Sequence, residues 1–207
     1  MLFDRKCKIT YIAHGATIYS EEGRFCDGES FPPLSENGVE EINRICDFLK
    51  SRRIKNDKII SSAGTRTIQS AKIISKIFKQ NFEIIPILTP KKCGSFNGMT
   101  FEQIEDKYPD EFKKLIDEPN LTIPEDAESV SDFVSRISDA IDKIVDENIG
   151  SRIIVVTYPE IIRVAIAKAL CIPDSAIKNI YIKTGSATQI SYFDSFESLM
   201  YCGYKPV

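Results

Sequence analysis

The run Arg152 to Thr157, RIIVVT, constrains the fold more than any other stretch of the chain. Consecutive Ile and Val residues leave it no polar face to turn to water. Such a run suits a strand covered on both sides, as in the middle of a parallel sheet. Parallel neighbours need a crossover, usually a helix, so strands and helices should alternate around it. They do. Lys8 to Ala13 reads as a buried strand stopped by Gly15, and Lys58 to Ser61 as a short one. Glu83 to Leu88 reads as a strand that Pro86 assigns to a sheet edge. Ile180 to Thr184, Thr188 to Phe193 and a short piece near Leu199 to Tyr201 close the chain as strands.

Helical patterns fill the gaps. Ser35 is an N-cap for a helix to about Lys50, with Val39, Ile42, Ile45, Cys46 and Leu49 as its apolar stripe. Thr65 to Phe78 turns Ile68, Ala71, Ile74 and Phe78 to one side. Phe101 to Asp117 reads as two short helices broken near Pro109. Ser129 opens a long helix to about Asn148, with Val130, Phe133, Ile137, Ile141 and Ile144 inward. Pro159 and Glu160 begin another, to about Leu170: Pro fits the first helical position and Glu the positive end of the dipole. Glu21 to Pro33, Pro90 to Thr100 and Leu121 to Ala127 read as loops. The expectation is one α/β domain over residues 1–207, a three-layer sandwich whose mainly parallel central sheet has helices on both faces.

Composition narrows the function classes. At 207 residues, 43% hydrophobic and 28% charged, the chain can bury a sizeable core. Its net charge of -3 and scattered basic residues argue against a nucleic-acid partner. The one dense basic run, Ser51 to Lys58, reads as a solvated helix C-terminus. No apolar run is long enough to span a membrane, and MLFDRKCKIT has no signal-peptide core. The six cysteines include no CxxC pair, and there is no second histidine to complete a zinc site. We expect no metal or cofactor, and reduced thiols in a cytoplasmic protein, with Cys46 and Cys171 on apolar helix faces.

His14 is the only histidine, and it stands where the first strand ends. Side chains at the carboxyl ends of strands in an open α/β sheet face the ligand crevice. A lone imidazole there is a nucleophile, a base, a ligand or simply a satisfied histidine at the sheet rim. The pairs His14-Gly15, Ser61-Ser62 and Thr157-Tyr158 all end strands and should converge on one crevice.

Taken in order, these motifs resemble the histidine phosphatase superfamily, the phosphoglycerate-mutase-like fold. ITYIAHGATIYS, from Ile9 to Ser20, is similar to the family's strand followed by Arg-His-Gly-Glu-Thr. Gly23 to Leu34, GRFCDGESFPPL, resembles its Gly-Arg-x-x-Gly stretch leading to Pro-Leu-Ser/Thr. Ser61 to Ala71, SSAGTRTIQSA, resembles Ser-Ser-x-x-x-Arg-x-x-x-Thr-Ala, and CGSFNGMT, from Cys93 to Thr100, resembles Phe-Gly-x-Trp-Glu-Gly-Leu-Thr. Glu128-Ser129 is similar to its Gly-Glu-Ser helix start. IVVTYPEIIR, from Ile154 to Arg163, lies where the family has Val-Val-x-His-Gly-Gly-x-Ile-Arg.

The resemblance implies a phosphohistidine mechanism, with His14 as the nucleophile and Arg66 as a phosphate-binding arginine. That chemistry needs a neutral imidazole, cationic donors around the phosphoryl oxygens, and an acid for the leaving oxygen. Here the arginine beside the nucleophile is Ala13 and the second histidine is Tyr158. The asparagine that follows the nucleophile is Ser20, and the glutamate acid falls on Pro90. Ser20, Arg24 and Tyr158 are the further candidates for phosphate contact. Lys91, Lys92 and Arg163 are candidate replacement cations, and Glu102 or Glu160 a replacement acid. Cys26 is the alternative nucleophile, although nothing near it in sequence depresses its pKa.

One lost donor costs about 10²–10³ in rate and a lost acid about 10²–10⁴. The expectation is therefore an impaired pseudo-phosphatase that binds a phosphorylated small molecule or protein, with a homodimer possible. A weak phosphomonoesterase acting through His14 is the alternative, and a purely structural subunit a third. The crevice is expected to be poor in cations, with Arg66 as its principal fixed charge.

Overall fold

A computed structural model of the chain describes residues 5–27, 32–117 and 124–207. The parts of the expected loops at 28–31 and 121–123 lie outside them. One six-stranded sheet organises the rest. Its strands are β1 (Arg5–Ala13), β2 (Lys58–Ser62), β3 (Phe82–Ile85), β4 (Arg152–Thr157), β5 (Ala187–Phe193) and β6 (Glu197–Tyr204), in the order β3-β2-β4-β1-β5-β6. β3, β2, β4 and β1 pair in parallel; β5 runs antiparallel to β1, and β6 antiparallel to β5.

RIIVVT lies at the centre, between β2 and β1, and its alternation serves both faces. Ile153 and Val155 face one core with Ile9, Tyr11 and Ile190. Ile154 and Val156 face the other with Ile12 and Ile59. The first core is closed by α6 (Val130–Glu147) and α7 (Pro159–Ala169), the second by α2 (Glu36–Ser51) and α3 (Thr65–Phe78). Each fully buried Ile or Leu contributes on the order of 1.5–3 kcal/mol, so this double burial fixes the register of the central strands. The remaining helices are α1 (Ile18–Glu21), α4 (Phe101–Lys107) and α5 (Pro109–Asp117).

Helix starts follow the expected chemistry. Ser35 and Ser129 cap α2 and α6, accepting from the backbone N–H of Gly38 at 3.1 Å and of Asp132 at 3.0 Å. β3 is an edge strand, but it stops at Ile85, before Pro86, instead of running to Leu88. Proline has no N–H to give a ladder.

Three further expectations fail. Ile180 to Thr184 forms no strand; it follows a 3₁₀ turn at Asp174–Asn179 and crosses the carboxyl end of β1. Both edges of β1 are taken, by β4 and β5, so the segment cannot pair there. Val39 is 39% exposed, because α2 docks through Gly38, Ile42, Ile45 and Leu49, and Val39 lies one residue off that face. Cys171 is exposed beyond the end of α7, where its φ of 53° has already left the helix. Among the described residues no helix is long and apolar enough to cross a membrane.

Candidate functional site

The three strand ends meet. Ala13 is in register with Thr157, and the His14 amide donates to the Thr157 carbonyl at 3.0 Å. The Ser62 and Thr157 hydroxyls bond each other at 2.8 Å. Above them opens a cleft of about 740 Å³ with His14 and Arg66 among its lining residues.

His14 is 5% exposed. Its Nδ1 lies 2.8 Å from the Gly15 carbonyl, and Arg66 Nε donates to its Nε2 at 3.2 Å. A carbonyl only accepts and a guanidinium only donates, so the proton sits on Nδ1 and the lone pair on Nε2. Burial, reinforced by the Arg66 charge, lowers the imidazole pKa to about 3. The ring is therefore neutral at physiological pH.

Arg66 sits in the first turn of α3, 3% exposed. Its Nη2 donates to the Cys26 carbonyl at 3.3 Å, and its guanidinium lies 4.6 Å over the Tyr158 ring. Tyr158 also meets His14 edge-on, with ring centroids 5.6 Å apart. Tyr158 is 1% exposed and does not line the cleft; its hydroxyl lies against Gly64 and Thr67. Expected as a phosphate contact, it is packed as a platform under His14 and Arg66 and set back from the cleft lining.

The other candidates separate by where the backbone puts them. Ser20 lines the cleft, but its hydroxyl donates to the Thr17 carbonyl at 2.9 Å and accepts from the Thr17 N–H at 2.8 Å in the capping box of α1. Arg24 also lines it, yet it is committed to Glu22, to the Gly98 carbonyl at 2.8 Å and to Gln103 at 3.2 Å. Lys92 and Glu102 are exposed outside the cleft, whereas Lys91, Glu160 and Arg163 line it. Ala13 and Pro90 are buried away from it. Cys26 lines it with its thiol pushed up by burial, against a nucleophilic role.

The cleft as a whole is richer in cations than its motifs imply. Arg24, Arg66, Lys91, Arg163, Lys183 and Lys205 line it against the carboxylate of Glu160. Lys183 and Lys205 arrive from the C-terminal segments and carry no motif signal. At the imidazole itself the expectation holds in a narrower form: Arg66 is the cation bonded to His14 among the described residues. Burial raises the Glu160 carboxyl, with Arg66, Arg163 and Lys91 pulling the other way. Burial lowers Lys91.

The site thus joins a strand-end histidine to a helix-borne arginine in a six-stranded α/β sandwich. The family model of the histidine phosphatase superfamily (branch 1) matches residues 9–202, and the chain belongs to that family. It is 27% identical to a metal-independent phosphoserine phosphatase of Arabidopsis thaliana over 75% of this chain and 66% of that protein. It is 24% identical to phosphoserine phosphatase 1 of Hydrogenobacter thermophilus over 73% of this chain and 70% of the other. The alpha-ribazole phosphatase structure from Shigella flexneri superposes with a TM-score of 0.85 at 17% identity, covering 97% of this chain and 98% of that one. At that identity the likeness establishes the fold.

Proposed function

We propose that this chain binds a phosphomonoester in the His14–Arg66 cleft and that phosphoryl transfer there is strongly impaired. The supporting observation is the hydrogen bond from Arg66 Nε to His14 Nε2, at 3.2 Å. The lone pair that would attack phosphorus is engaged by a cation that also depresses its basicity. Where the resemblance implies a second arginine and a second histidine stand Ala13 and Tyr158, both buried. The guanidinium and the cations around the cleft still suit a dianion. The free thiols fit the reducing cytoplasm in which we place the protein.

The test is a pair of measurements. Inorganic phosphate or vanadate should raise the melting temperature, and Arg66→Ala should remove the shift. Hydrolysis of p-nitrophenyl phosphate should be negligible and unchanged by His14→Ala. Robust turnover abolished by His14→Ala would overturn the impairment, and a melting curve insensitive to millimolar anion would overturn the binding.

One observation favours a second reading, a slow phosphomonoesterase. Glu160 is half-buried in the same cleft, and burial favours its protonated form. In that reading His14 Nε2 attacks phosphorus, the ester P–O bond breaks, and Glu160 gives its proton to the leaving oxygen; water then cleaves the P–N bond. The names of the phosphatase relatives agree with it. Its signature is turnover that falls as pH rises past the Glu160 pKa, and that Glu160→Gln suppresses.

A further inference from the structure

Resting on the proposed phosphomonoester binding, we infer that the ligand's organic part is a planar aromatic group, held at the mouth of the cleft between Phe101 and Tyr181. Both rings line the cleft, and both are unusually bare for their size, 50% exposed for Phe101 and 75% for Tyr181. Phe101 is supported from behind. Its ring lies 5.1 Å from Phe25, which in turn packs edge-on against the buried Phe96 at 6.3 Å. It also meets Phe112 at 6.4 Å. A ring so braced presents a fixed face without losing much freedom when a ligand arrives.

Tyr181 is placed differently. Tyr181 belongs to the irregular Ile180 to Thr184 segment, and the Lys183 ammonium lies 6.0 Å from its ring centroid. That segment is anchored by Ile182, 3% exposed, so its neighbour Tyr181 is held out over the cleft.

Part of the positive charge around the cleft is already committed. At the rim Arg24 is paired with Glu22, and Lys205 with the buried Glu41. The cleft, at about 740 Å³, holds far more than one phosphoryl group. Ligand pockets of this size bury most of a small organic molecule against apolar and aromatic walls. Phe101 and Tyr181 supply the aromatic part of such a wall here.

Calorimetric titration of the whole chain with inorganic phosphate, glycerol phosphate, phenyl phosphate and adenosine monophosphate tests this. The aromatic esters should bind about five- to a hundredfold more tightly than glycerol phosphate, the range expected for one stacked ring. Tyr181→Ser, at a highly exposed position, and Phe101→Ser should each cut that ratio while leaving inorganic phosphate unchanged. Equal affinity of the intact chain for phenyl and glycerol phosphates overturns the inference and leaves anion binding standing. Failure of all four compounds to bind a folded protein overturns both.

Discussion

At the scale of single residues, Tyr158 shows how a changed side chain remakes a site. A phenol stands where the resemblance implies an imidazole, and the fold packs it as a floor beneath His14 and Arg66. That floor requires Gly64. A Cβ there would sit 1.9 Å from Tyr158 Oη, a distance no side chain tolerates, and a tight 3.2 Å from Cζ. Gly64→Ala must therefore displace the ring on which Arg66 lies. We expect a loss of about 1–3 kcal/mol, the usual range for overpacking, read as a lower melting temperature. Tyr158→Phe in the same background should recover part of the loss, because the nearest colliding atom is gone. A Gly64→Ala protein as stable as its parent would refute the packing described. His14 and Arg66 were legible because each sits in a local motif at an element boundary. The burial of Tyr158 was not: its sequence neighbours place the residue at a strand end but leave its ring free to face cleft or core. Lys183 and Lys205 were illegible for a different reason, since only the topology of the C-terminal segments brings them to the cleft.

At the scale of elements, strands buried on both faces declared themselves, while an apolar segment buried as a loop imitated one. Arg152–Thr157 was read to the residue because every side chain from Ile153 on is enclosed. Ile180 to Thr184 opens with a similar apolar run, but Ile180 and Ile182 pack against the core without joining a strand ladder. Periodicity reports burial, and burial does not specify pairing. Helix α2 carries the contact that ties this segment to the nucleophile. Glu41, 3% exposed, accepts from the Ala16 N–H at 2.8 Å, from the Thr184 hydroxyl at 3.5 Å and from the Lys205 ammonium. It thus joins the loop after β1, the segment before β5 and the C-terminal tail. Glu41→Leu leaves the buried Ala16 N–H without an acceptor, a loss of about 1–3 kcal/mol. Glu41→Gln keeps a carbonyl oxygen for that bond and should lose less. Chemical denaturation of the two variants compares them directly; equal losses would mean that the Ala16 bond is not what Glu41 contributes.

At the scale of the molecule, one histidine makes the pH dependence of stability unusually readable. Burial first, and then Arg66, lower the His14 pKa from its usual 6.5 to about 3. Between those values the unfolded chain binds a proton that the native state refuses, so stability falls as pH drops through the window. Each unit of that window amounts to at most about 1.4 kcal/mol, a few kcal/mol over its full width. Glu160 acts in the opposite sense. Its folded pKa is raised above 4.5, so between the two values the native state holds a proton that the unfolded chain has released. Stability there increases as pH falls, which offsets part of the histidine effect. His14→Gln separates them: glutamine can still donate to the Gly15 carbonyl and accept from Arg66, but it does not titrate. Denaturation midpoints of the two proteins, measured from about pH 7 to about pH 4, should diverge steadily, the parent losing ground to the variant on the acid side. Carboxylates common to both proteins cancel in that difference, and Glu160→Gln should steepen the parent's acid loss. Parallel curves for parent and His14→Gln would mean that the imidazole is not held neutral by its burial against Arg66, and the tautomer assigned to it would fall with that result.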